Sequence, residues 1–74
     1  MDDNIFNYGD LVRLSHYGEV TFGRNPVGVR FVGKNGFIVS EIMNKLNMVG
    51  YKVRFAEEDP IFLAVDEIEL VKGS

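Results

Sequence analysis

From Tyr51 to Phe55 the chain alternates without a break, with Tyr51, Val53 and Phe55 apolar and Lys52 and Arg54 cationic between them. A period of two puts one set on each side of an extended backbone, so this segment reads as a strand with one buried face. Such a strand needs neighbours, because isolated strands and hairpins are barely stable in water. Only 74 residues are available to supply them. The chain is therefore one small domain, burying about 60% of the surface it exposes when unfolded. It contains no cysteine and a single histidine. That removes disulfide staples, thiolate zinc sites and cysteine nucleophiles together.

Other segments repeat the pattern. Gly9-Asp10 precedes Leu11-Val12-Arg13-Leu14, a first strand in which Val12 and Leu14 flank Arg13. Residues 15–26 are rich in turn formers, and Val27 to Val32 alternates again around Arg30. Gly33-Lys34-Asn35-Gly36 then predicts a tight turn, with Asn35-Gly36 supplying positive φ angles and residues 37–43 continuing the hairpin. Residues 40–50 admit two readings. Ile42, Leu46 and Val49 have helical spacing, with Ser40 to cap and Gly50 to terminate; a hairpin looping at Asn44-Lys45-Leu46-Asn47 is preferred, because ten residues make a marginal helix. Beyond Phe55, Glu57-Glu58-Asp59-Pro60 reads as a turn and Ile61 to Val65 as a strand. Asp66-Glu67-Ile68 then reads as a turn or one 3₁₀ turn, and Glu69 to Lys72 as a last strand.

The composition, 46% apolar and 26% charged, is that of a globular protein. No apolar run approaches the ~18 residues of a membrane span, and Met1-Asp2-Asp3-Asn4 lacks the basic start of a signal peptide, so a cytoplasmic location without membrane association is expected. The net charge is −3, and a pI near 4.9 argues against a dedicated nucleic-acid binder. That sum hides a division. Asp2, Asp3 and Asp10 open the chain, residues 11–54 hold seven basic side chains against Glu19 and Glu41, and residues 55–74 hold six acids against Lys72.

Taken in order, short strand, long irregular arm, tight turn, meander, 3₁₀ turn and short strand resemble an SH3-like barrel. Gly9-Asp10-Leu11-Val12-Arg13-Leu14 resembles the opening of KOW-type domains and of the small SH3-like barrel found in photosystem I. Gly33-Lys34-Asn35-Gly36-Phe37-Ile38 is similar to their glycine element, and Asp66-Glu67-Ile68-Glu69-Leu70 to their closing turn and strand. The layout is also similar to that of small SH3-like proteins encoded by phages and prophages. The eighteen residues from Ser15 to Val32 match the long first loop of ordinary SH3 domains and of the photosystem I barrel better than a compact KOW motif. The resemblance implies an all-β fold, a single SH3-like barrel of five to six antiparallel strands with a long first loop. It spans residues 9–72, with residues 1–8 as an extension and 73–74 as a tail.

Catalytic chemistry finds little footing. Ser15 and His16 are neighbours whose side chains point apart on an extended chain, so they do not begin a triad. Glu57, Glu58 and Asp59 lie on a turn without a pocket to shift a pKa, and the calcium-loop pattern is absent. The glycines at 18, 23, 28, 33 and 36 form no phosphate loop. No enzyme, cofactor or metal is expected.

Binding surfaces are expected instead. Alternation turns Arg13, Arg30, Lys52 and Arg54 outward, which makes a basic face if their strands are neighbours. Val29 and Phe31 should anchor the long arm, leaving Tyr17, Phe22 and Arg24 near its tip; together with Lys34 and Phe37 they form the expected partner surface. The leading expectation is a small protein-binding module, an accessory subunit or a phage-encoded modulator of a host protein. A module that binds RNA through the basic face is the alternative. Proline-peptide recognition of the ordinary SH3 kind is disfavoured, because that groove uses a tryptophan and this chain has none.

Overall fold

A computed structural model describes residues 6–71. Six strands account for most of the regular structure: β1 Leu11–Leu14, β2 Asn35–Ile38, β3 Met43–Lys45, β4 Met48–Phe55, β5 Ile61–Ala64 and β6 Ile68–Leu70. One short helix, α1 His16–Thr21, departs from the all-β expectation. All pairings are antiparallel. The sheet runs β3-β4-β2-β1-β6, with β5 on β4 as well. Because β5 pairs only with β4 and β6 only with β1, the ladder does not close into a barrel among the described residues.

β4 organises this sheet. Its last residues pair with β2 (Ile38 opposite Val53, Gly36 opposite Phe55), its first with β3, and its middle with β5 (Tyr51 opposite Leu63). As the alternation requires, Tyr51, Val53 and Phe55 are buried. Phe6, Val12, Leu14, Phe31, Ile38, Leu63 and Ile68 complete the core around them, with Phe22, Ile61 and Val65 packed at its margin. Residues 1–8, set off as an extension, thus contribute Phe6 to the core; residues 1–5, Lys72 at the end of the expected last strand and the tail at 73–74 lie outside the described residues.

The long arm differs most from expectation. Val27 to Val32 is no strand: Gly28–Phe31 forms a 3₁₀ turn, and Val29, expected as an anchor, is 57% exposed. The physical reason lies in Asn25-Pro26. The Asn25 side-chain oxygen accepts from the Gly28 N–H at 2.7 Å and its carbonyl from the Val29 N–H at 3.0 Å, which bends the chain before a strand can start. Gly28 and Phe31, three residues apart, then bury together, the spacing of a 3₁₀ turn rather than a strand.

Earlier in the arm, Ser15 caps α1 by accepting from the Gly18 N–H at 3.1 Å, and a second 3₁₀ turn, Phe22–Arg24, follows the helix.

The expected Asn35-Gly36 turn is likewise corrected. Both residues lie in β2, opposite Arg13 and Val12. The left-handed position falls two residues earlier, on Gly33 at φ 81°. A Cβ at Gly36 would come within 3.0 Å of the Arg54 carbonyl and the Val53 side chain, so glycine serves close packing here rather than a turn.

The ambiguous residues 40–50 form the hairpin. Its loop is tighter than Asn44 to Asn47: only Leu46 and Asn47 lie between β3 and β4, at φ 54° and 65°. Ser40, the alternative helix cap, accepts the Lys52 N–H at 2.9 Å instead. Glu57-Glu58-Asp59-Pro60 is a connection, as expected; the 3₁₀ turn expected at Asp66-Glu67-Ile68 falls one residue earlier, at Val65–Glu67, and Ile68 already belongs to β6. Among the described residues no helix is long and apolar enough to cross a membrane.

Candidate functional site

The β3–β4 hairpin carries an unusual share of the exposed apolar surface. Two consecutive left-handed residues suit a two-residue hairpin turn, because their backbone twist matches that of the strands. Asparagine and glycine are the ordinary occupants, yet the first position holds Leu46, and it is 87% exposed. Ile42, Met48 and Val49 are exposed behind it.

The β4 arm of the hairpin, just past its turn, faces α1 and the 3₁₀ turn Val65–Glu67. Between them lies a groove of about 390 Å³ lined by Tyr17, Met48, Val49, Ala64, Val65, Asp66 and Glu67. Its far wall is fixed by hydrogen bonds. The Ser15 N–H donates to the Glu67 carbonyl at 2.9 Å, the Ser15 hydroxyl to the Asp66 carbonyl at 2.8 Å, and the Thr21 hydroxyl to the Glu67 carboxylate at 2.9 Å. The other Glu67 carboxylate oxygen accepts the Ala64 N–H at 3.0 Å. Gly18 permits this approach, since a Cβ there would collide with the Glu67 carbonyl. The groove is thus apolar along the hairpin and Tyr17, and acidic along one rim.

A second groove, of about 420 Å³, shares no lining residue with the first. It is formed by Arg30, Phe31, Lys34, Asn35, Phe55, Ala56 and Glu58. Arg30 donates to the Glu58 carboxylate at 2.7 Å across it, so the two charges largely answer each other.

The third surface is the outer face of the sheet. Register places Phe37, 51% exposed, between Leu11 and Arg54. Lys52 lies opposite Phe62, and the Lys45 ammonium stands 5.8 Å from the Phe62 ring centre. Arg13 pairs across strands with Glu69 at 2.7 Å.

The structure disperses the residues expected to form one partner surface. Tyr17 lines the apolar groove, and Lys34 lines the second one. Phe37 stands on the outer sheet face. Arg24 is exposed at the end of its 3₁₀ turn, whereas Phe22 is half-buried and stacks on Phe31 with ring centres 6.2 Å apart. Of the four expected basic-face residues, Arg13, Lys52 and Arg54 share the sheet face; Arg30 sits on the Gly28–Phe31 turn, paired to Glu58. The Ser15 hydroxyl is committed to Gly18 and Asp66 and makes no hydrogen bond to His16 among the described residues. Leu46, Met48 and Val49 were missed as surface residues. An apolar residue inside a two-residue turn is the signal that would have found them.

No family model, curated protein or solved structure matches the chain.

Proposed function

We propose that this is a non-catalytic protein-binding module of the SH3-like kind, and that it docks its partner on the β3–β4 hairpin and the groove beside its β4 arm. One observation carries the reading: Leu46 combines 87% exposure with a left-handed backbone that asparagine or glycine would adopt at lower cost. A residue that strains its backbone and gains almost no burial in return earns its place by contact with something else. Ile42, Met48, Val49 and Tyr17 extend that contact area into the groove, and Asp66 on the rim suits a cation beside the partner's apolar side chains. The SH3-like assignment rests on element order and on β1, which pairs with both β2 and the strand after the last 3₁₀ turn. A cytoplasmic modulator, of phage origin or otherwise, fits this reading.

The test is affinity capture with the parent chain and a Leu46→Asn/Met48→Asn variant, followed by reconstitution with the purified candidate. The variant should weaken binding by at least ~10-fold while its thermal unfolding stays cooperative. Equal binding by both proteins removes the hairpin as the docking site.

A further inference from the structure

The outer sheet face is chemically unlike the hairpin end. Leu11, Phe37 and Arg54 follow one another across β1, β2 and β4, and Lys52 lies two residues from Arg54 on the same face of β4. Lys52 in turn faces Phe62 on β5, with the Lys45 ammonium beside that ring. Glu69 is the sole carboxylate among the strand residues of this face, and Arg13 already neutralises it at 2.7 Å. Lys45, Lys52 and Arg54 have no carboxylate partner among the described residues; Arg54 reaches only the Glu58 carbonyl, at 3.4 Å. Although the whole chain is acidic, this face carries three cations without a carboxylate partner among the described residues, around exposed aromatic surface.

We propose that the outer face of the sheet binds single-stranded nucleic acid, with a base stacked on Phe37 and phosphates held by Lys45, Lys52 and Arg54. Cations that track a backbone beside an aromatic ring are the two elements such binding needs. Strand spacing and residue rise place Phe37 and Phe62 roughly 12 Å apart along the sheet. One nucleotide cannot span that distance, so the ligand is an oligomer. A duplex fits less well, because its bases are already stacked and Phe37 stands proud of a surface with no protruding helix or ribbon to enter a groove. This site takes Lys45 from the hairpin but none of the residues assigned to partner docking.

The experiment uses Phe37→Trp, which gives the chain its only tryptophan. Titration with oligouridylate or oligothymidylate should quench its emission, with a Kd on the order of 100 µM at physiological salt. Three phosphate contacts set a log–log salt slope of about −2, so affinity should fall roughly 15-fold between about 50 and about 200 mM salt. In the otherwise native chain, with binding followed by anisotropy of a labelled oligonucleotide, Phe37→Ala should weaken binding about tenfold. Arg54→Gln should flatten the slope by about 0.7, and Leu46→Asn should change neither quantity. An absent response overturns the proposal. So does polyglutamate binding as tightly as the oligonucleotide, or an unaltered affinity in a folded Phe37→Ala protein, since either outcome leaves only a general attraction for anions or an acidic protein.

Discussion

The backbone N–H of Phe6 donates to the Tyr51 hydroxyl at 3.0 Å, while the two rings meet edge to face with centres 5.5 Å apart. A residue ahead of the first strand is thereby locked to the middle of β4. The contact closes one end of the core and satisfies two polar groups in a place without solvent, because Tyr51 is 1% exposed. Tyr51→Phe keeps the ring but strands the Phe6 N–H, and should cost about 1–3 kcal/mol in urea unfolding. Phe6→Ala removes a core side chain and should cost about 3 kcal/mol. Unchanged midpoints for both would mean that residues 6–10 do not close the core.

Two glycines in the arm and β2 should respond to substitution for different reasons. At Gly33 the backbone is left-handed with open space around it, so Gly33→Ala should cost about 1–2 kcal/mol through backbone strain alone. D-alanine, introduced at this position by chemical synthesis, should recover that loss. At Gly36 the conformation is that of a strand and the obstacle is the Arg54 carbonyl with the Val53 and Phe55 side chains; Gly36→Val should cost about 1–3 kcal/mol through overpacking. A Gly36→Val protein as stable as the parent would contradict the observed packing of β2.

Phe22 tests the reassignment of the arm. Stacked on Phe31, whose ring centre lies 4.7 Å from that of Phe55, it extends an aromatic row into the core. Phe22→Ala should therefore lower stability by about 1–3 kcal/mol, less than a fully buried phenylalanine would, and leave partner affinity unaltered. Thermal unfolding and a binding isotherm on the same variant separate the two roles. A loss of affinity at constant stability would restore Phe22 to the binding surface.

Leu46→Asn offers the opposite sign. Asparagine tolerates the left-handed turn better than leucine, so the variant should gain about 0.5–1 kcal/mol in chemical unfolding. Improved stability accompanied by weaker partner binding would be the signature of a residue kept for contact. A destabilised variant would show that Leu46 packs somewhere, against its observed exposure.

The strands whose alternation is enforced by burial are legible in the sequence alone. Val12 and Leu14, and Tyr51, Val53 and Phe55, could face the core in only one register, because a slip of one residue would bury Arg13, Lys52 or Arg54. The outward direction of Phe37 followed from the same rule. The tertiary structure decided everything that depended on which segments meet. Val27 to Val32 alternates as well as any strand, yet Asn25 captured the Gly28 and Val29 N–H groups locally, and no sheet edge was needed for them. Asn35-Gly36 had the chemistry of a turn, but Gly36 is required where β2 passes close to β4, a contact between residues far apart in the chain. The candidate surfaces were divided for that reason: local pattern fixes the direction of a side chain, and only packing decides which distant side chains become its neighbours.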